Sequence, residues 1–332
     1  MSKKVVLTGI KPTGIPHIGN YFGAIKPALE LAHDYEARYF IADYHALNSM
    51  KDPVELKELT YEIAAAWLAC GLDPEKVLIY KQSSIPEIYE LTTILMAFTP
   101  KGLMNRAHAY KAVVQDNNEN KKDPDEGVNM GLFTYPALMA ADILMFNTNI
   151  VPVGRDQKQH IEMAVDIAQS INHNYKAEIL TLPEPMINES TEVVIGMDGR
   201  KMSKSYNNTI PLFLPSKKLR KQVMKIVTNS QSIEEPKDPD ACNVFTLYKL
   251  FATEEQQLSL RDRYTSGGMG WGHAKQELFE AMDASINPMR EKYEELIDDK
   301  SYIDKVLKEG AQKAREISSA KILELRRAIG IE

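Results

Sequence analysis

Cysteine is scarce: Cys70 and Cys242 are the only two in 332 residues. They form neither a metal-ligand spacing nor a disulfide framework, which excludes a cystine-stapled scaffold and fits a reducing, cytoplasmic setting. No apolar run approaches the roughly 20 residues that a bilayer span requires. Residues 1–10 lack the apolar centre of a signal peptide, so no membrane association is expected. There is no internal repeat and no low-complexity tract. Nor is there a large excess of one charge, because 40 Lys and Arg against 46 Asp and Glu leave a net charge of −6. That balance excludes indiscriminate coating of nucleic acid while leaving room for local basic patches. Finally, no Walker loop, catalytic triad, paired carboxylates or metal cage is visible. What remains is a chemistry in which the substrate is its own nucleophile, accelerated by positioning and electrostatics.

The composition is otherwise that of a globular protein, 44% hydrophobic and 26% charged. At roughly 150 residues per domain, the length suggests two domains or one with an appendage. Short apolar runs at 5–7, 38–42, 77–80 and 150–153 read as buried strands, bounded by Gly, Pro or Asp. Helical patterns lie between them. The clearest covers 53–70, with Asp52 at the N-cap, Pro53 first, Glu55 completing a capping box and Gly71 as the stop. Strands alternating with helices predict a parallel sheet covered on both faces, with ligands bound beyond the carboxyl ends of its strands. Residues 116–127 read as a polar surface loop. After about Pro211 the strand signals fade and helices follow at 216–228, 245–251, 272–286 and 302–329, which predicts a helical second domain.

Three stretches carry the chemistry. The loop after the first strand, Thr8 to Asn20, holds three glycines and two prolines and leads into a helix whose free N–H groups suit a phosphate. Lys11 and His17 add charged or polar donors there. The second stretch is Lys201-Met202-Ser203-Lys204-Ser205, and residues 199–225 carry eight Lys or Arg with no Asp or Glu. Its first lysines sit in a Gly/Ser/Asn-rich loop and can stabilise charge on phosphate oxygens. The rest (Lys217, Lys218, Arg220, Lys221, Lys225) continue onto a helix, either as a solvated face or as a contact for a nucleic-acid backbone. In the third stretch, Tyr135, Leu138, Met139 and Asp142 share one helical face. A carboxylate on that apolar stripe demands a fixed donor. Gln157 and His160 line the inner face of the next helix, with Val151 and Val153 as apolar wall.

Together these stretches resemble the class I aminoacyl-tRNA synthetases. Pro16-His17-Ile18-Gly19-Asn20 resembles their first signature, and Lys201–Ser205 matches their second, KMSKS, in full. Within the class, Tyr135-Pro136, Met139 to Leu144, Val151 to His160 and Asp43 to Ala46 resemble the tryptophanyl branch, with a likeness spanning nearly the whole chain.

The resemblance implies a Rossmann-like catalytic domain over 1–210 and a helical anticodon-binding region over 211–332, whose terminal helix packs back on the catalytic domain. It implies a homodimer, with ATP, L-tryptophan and tRNA(Trp) as partners and Mg²⁺ on the phosphates. Lys11, Pro12, Thr13, His17, Gly19 and Asn20 would hold ATP, and Gly154, Arg155, Asp156 and Val193 its adenosine. Lys201 and Lys204, within the loop that includes Met202, Ser203 and Ser205, would clamp the phosphates. Asp142 would accept the indole N–H, and Tyr135, Gln157 and His45 would orient the amino-acid end. Met139, Val151, Val153 and Leu7 would shape the pocket. Leu7, Lys11, Arg155 and the pair Gly199-Arg200 depart from the commonest pattern. A tyrosyl-tRNA synthetase and a non-catalytic tRNA- or amino-acid-binding paralogue are the alternatives.

Overall fold

The structure, a computed structural model, describes residues 3–187 and 194–332. Val193 therefore lies outside the described residues. Five parallel strands form one sheet in the order β3-β2-β1-β4-β5: β1 (Val5–Ile10), β2 (Glu36–Ile41), β3 (Leu78–Lys81), β4 (Ile150–Pro152) and β5 (Glu184–Met186). The sequence pattern places the first four. It misses β5, a three-residue edge strand carrying Pro185. Proline is tolerated at an edge, but it removes the usual strand signal. The order reverses between β1 and β4, the switch point where open parallel sheets bind ligands.

Alternating strand residues feed two different cores. Val6, Tyr39, Ile41, Ile79 and Ile150 point into one apolar cluster, whereas Leu7, Phe40, Tyr80 and Val151 point into the other. Both faces are thus buried, which is why these strands read as continuous apolar runs. The first cluster continues without a break into the C-terminal helices through Leu219, Val223, Phe245, Leu278 and Ile286.

The helix Pro53–Ala69 starts and ends near the expected positions. Asp52 accepts from the N–H groups of Val54 and Glu55, at 2.8 and 3.1 Å, and Gly71 takes φ +108°. No return bond from the Glu55 side chain to Asp52 is present among the hydrogen bonds of this cap, so the cap is one-sided rather than a capping box. The expected loop at 116–127 is shorter: the helix His108–Glu119 takes its first four residues. The remainder is tied down by buried Asn117, whose amide donates to the carbonyls of Pro124 and Glu126.

Beyond Pro211 no strand occurs among the described residues, and the helices are Ser216–Val223, Asn243–Tyr248, Glu254–Ser266, Trp271–Asp298 and Ser301–Ile329. Glu254–Ser266 carries mostly polar residues, so no apolar stripe marks it in the sequence. The terminal helix returns to the sheet. At Gly310 a β-carbon would stand 1.7 Å from the carbonyl oxygen of Ile79 in β3, so glycine permits the contact. Arg326 completes the docking with a fork onto both oxygens of Glu90, at 2.6 Å each.

Candidate active site

A cavity of about 1240 Å³ opens beyond the carboxyl ends of β1 and β4. It exceeds the roughly 300–1,000 Å³ typical of a single small-ligand pocket, so it has room for two. Its lining includes Leu7, Lys11, His45, Tyr135, Met139, Asp142, Val151, Val153, Gly154, Arg155, Gln157 and Lys201. Twelve of the expected site residues thus converge from five separate stretches of chain, 7–11, 45, 135–142, 151–157 and 201. Phe40 also lines the cavity, and its ring lies so close over Gly9 that a β-carbon there would meet it at 2.5 Å.

The helix Met130–Leu144 carries Asp142 into the lining at 1% exposure. Burial pushes this carboxyl upward, while hydrogen bonds from His45 and Gln82 oppose the shift. The donors that Asp142 requires come first from the protein itself. Nε2 of His45 lies 2.9 Å from Oδ2, and Nε2 of Gln82 donates to both oxygens at 2.9 Å. A ligand N–H would add to these donors. Gln82 is wholly buried and went unnoticed in the sequence, where a lone glutamine carries no motif. Its position at the carboxyl end of β3 is the signal that could have found it.

The two signature loops touch. Nζ of Lys204 donates to the carbonyl of Thr13 at 3.3 Å, and the N–H of Gly19 lies 3.3 Å from Sδ of Met202. Gly14, at φ +133°, leaves the space that the Lys204 side chain fills. Burial lowers the Lys204 ammonium below its ordinary range, although nearby Glu62 opposes this. Pro12 is buried beside this contact, and Ser205 is exposed with its hydroxyl 2.8 Å from that of Ser203. Lys201 faces the main cavity, whereas Lys204 and His17 lie outside its lining.

His17 caps the helical turn Ile18–Asn20, and its own N–H donates to Oδ1 of Asn20 at 3.0 Å. The side-chain oxygen of Asn20 is thereby engaged at its own helix start. Burial, aided by the charge on Lys204, pushes the His17 imidazole down to about 4, so it is neutral at pH 7. Lys11, crowded by protein atoms yet still in reach of solvent, is lowered by desolvation and stands 5.5 Å above the Tyr135 ring. Asp156 is placed by its backbone, in the single turn Arg155–Gln157 after β4.

The Lys201–Ser205 loop has an anchor that the sequence reading also missed. Asn208 is 2% exposed; its Oδ1 accepts from the N–H of Ser203 at 2.8 Å. Its amide nitrogen donates to Oδ1 of Asp198 at 2.7 Å and to the carbonyl of Lys201 at 3.1 Å. The signature is thus pinned from behind.

A family model described as class I tRNA synthetases (W and Y) matches residues 2–286. The chain belongs to that family. Among similar proteins, the tryptophan–tRNA ligase of Neisseria meningitidis is 52% identical, over 100% of this chain and 99% of the relative. That of Bordetella parapertussis is 53% identical, over 98% of this chain and 73% of the relative. The crystal structure of tryptophanyl-tRNA synthetase from Campylobacter jejuni, complexed with ADP and tryptophan, superposes with a TM-score of 0.91 at 47% identity. It covers 98% of this chain and 99% of its own. In this class I synthetase the sheet, the cavity and both signature loops therefore occur together. No helix among the described residues is long and apolar enough to cross a membrane.

Proposed function

We propose that this class I synthetase is a tryptophan–tRNA ligase, which activates L-tryptophan with ATP and transfers it to tRNA(Trp). The observation that carries the choice of amino acid is the buried carboxylate of Asp142 in a lining otherwise rich in Met139, Val151, Val153 and Leu7. Such a wall accepts a large aromatic side chain, and Asp142 gives its ring N–H an acceptor. A ligand without that N–H forfeits a hydrogen bond to a charged group, about 1.5–3 kcal/mol. Sites built to hydrogen-bond a substrate reject isosteres strongly. Full-length similarity to tryptophan–tRNA ligases supports the same choice over tyrosine.

In the first step a carboxylate oxygen of tryptophan attacks the α-phosphorus of ATP. The bond from that phosphorus to the bridging oxygen breaks, and pyrophosphate leaves. In the second, a ribose hydroxyl at the tRNA terminus attacks the acyl carbon, loses its proton and expels AMP. Neither step uses a protein nucleophile. Lys11, Pro12, Thr13, His17, Gly19 and Asn20 hold the nucleotide, with Gly154, Arg155, Asp156 and Val193 toward adenosine. Lys201 and Lys204, carried with Met202, Ser203 and Ser205, stabilise charge building on the phosphates. Tyr135, Gln157 and His45 orient the amino acid. The described residues offer no cluster of His, Cys, Asp or Glu that could hold a metal ion. Mg²⁺ accordingly enters this proposal on the triphosphate itself, and no step is assigned to it.

The wider organisation follows the same reading: a catalytic domain over 1–210, an anticodon-binding region over 211–332, a homodimer and a cytoplasmic location. Support for the tRNA face comes from Lys217, Lys218, Arg220, Lys221 and Lys225, all exposed around buried Leu219 and Val223. The free state of Cys70 and Cys242 supports the location. The test is ATP–pyrophosphate exchange across the amino acids. Exchange driven by tryptophan alone is expected; exchange driven by tyrosine instead would reject the assignment. No exchange with any amino acid, alongside retained tRNA binding, would favour the non-catalytic alternative.

A further inference from the structure

We propose that Gln82 is a positioning residue for indole recognition, fixing the Asp142 carboxylate so that it presents an acceptor to the ring N–H of the bound amino acid. This inference rests on the tryptophan reading above.

The geometry is unusually constrained. Gln82 follows β3 directly, is 0% exposed, and spans both Asp142 oxygens with one amide nitrogen at 2.9 Å. Its own oxygen accepts from the N–H of His45 at 3.3 Å, which settles the orientation of the amide: nitrogen toward Asp142. The two turns that carry His45 and Gln82 are joined again next door. The N–H of Ser83 donates to Oδ1 of Asp43 at 2.9 Å, and the Ser83 hydroxyl donates to the other carboxylate oxygen. The loops after β2 and β3 are therefore clamped to each other, and the clamp delivers two donors to one buried carboxylate.

A carboxylate offers about four acceptor directions. Gln82 uses one on each oxygen and His45 uses a second on Oδ2, so Oδ1 keeps capacity. Oδ1 has no other donor among the described residues. A third donor from a ligand would complete the site. Gln82 also favours the ionised form of Asp142, the form that can only accept. If Asp142 were protonated it would present a donor of its own, and the preference for a ring N–H would fade.

The test compares wild type with Gln82→Met, which keeps length and apolar volume but removes the donor, and with Gln82→Glu. Substrates are tryptophan and its analogue with ring sulfur in place of the N–H, assayed by ATP–pyrophosphate exchange from pH 6 to 9. In Gln82→Met the KM for tryptophan should rise ~10-fold or more, with kcat changed far less and the analogue's KM nearly constant. That rise should steepen as the pH falls, because a carboxylate deprived of a donor takes up a proton more readily. In Gln82→Glu the slope should reverse. At low pH a shared proton supplies the missing donor, and at high pH two like charges face each other. Parallel rises for both substrates, or one pH slope for both variants, would overturn the role and leave Gln82 as mere support. If wild type itself fails to discriminate the two substrates, the reading of Asp142 falls; if wild type discriminates and Gln82→Met does so equally, only the present inference falls.

Discussion

Replacing Asn208 with alanine should uncouple the Lys201–Ser205 loop from the protein without touching the tryptophan pocket. Asn208 makes three contacts of 3.1 Å or less, to Ser203, Asp198 and Lys201, from a position 2% exposed. Each such bond contributes about 0.5–1.5 kcal/mol net. Water can replace part of this once the loop lifts, so about 2 kcal/mol of loop ordering should be lost, or roughly 30-fold in the ordered population. Lys201 and Lys204 would then reach the phosphates only from a minor conformer, and adenylate formation should slow by a similar factor. Tryptophan binding should change by less than about threefold, because the Asp142 network is on other elements. Single-turnover adenylate formation gives the first quantity, equilibrium dialysis the second, and limited proteolysis at Lys201 and Lys204 reports loop order. A variant with wild-type proteolysis and adenylate formation within threefold of wild type would refute the reasoning.

Lys204→Ala should slow adenylate formation far more than it weakens tryptophan binding, since its charge acts on the transition state; equal losses in both would argue against that role. Reversing charge at Lys218 and Lys221 should weaken tRNA binding and flatten its salt dependence by up to about two phosphate contacts, whereas an unchanged slope would return this helix to a solvated face. Gly310→Val would force a methine carbon against the Ile79 carbonyl oxygen, where even a β-carbon stands at 1.7 Å. A loss of about 3 kcal/mol or more is expected by urea unfolding, and unchanged stability would show that the terminal helix is not fixed there. The His17 imidazole, at about 4 when folded against 6.5 ordinarily, takes up its proton more readily in the unfolded chain. Its contribution is present above pH 6.5 and lost as the pH falls toward 4, by at most about 3 kcal/mol. His17→Gln should lose less stability over that interval, and an equal loss would contradict the assignment.

Much of the catalytic half was legible because its signals are local. Two-faced burial turns β1 to β4 into apolar runs, and the Asp52-Pro53 start and Gly71 stop delimit a helix by cap chemistry alone. The lone carboxylate on the Tyr135 stripe also announced itself, since Asp142 could be buried only with partners. Those partners were not legible. Gln82 and Asn208 act through contacts between segments distant in sequence, and a buried amide leaves no periodicity. The same holds for Gly310, whose need for glycine arises only when the terminal helix meets β3. β5 and the polar helix Glu254–Ser266 escaped for the opposite reason: neither shows the alternation or stripe on which pattern reading depends.

The central claim is that tryptophan's own carboxylate displaces pyrophosphate in a single step on a site built from cations and a buried acceptor. Activation of tryptophan carrying heavy oxygen in its carboxylate, with ATP made chiral at the α-phosphorus by sulfur substitution, tests it most directly, because the oxygen delivered by the carboxylate then keeps the phosphorus of thio-AMP chiral. One in-line displacement predicts inversion of configuration in the thio-AMP recovered after transfer to tRNA, while retention would reveal a covalent nucleotidyl-protein intermediate and an attacking side chain.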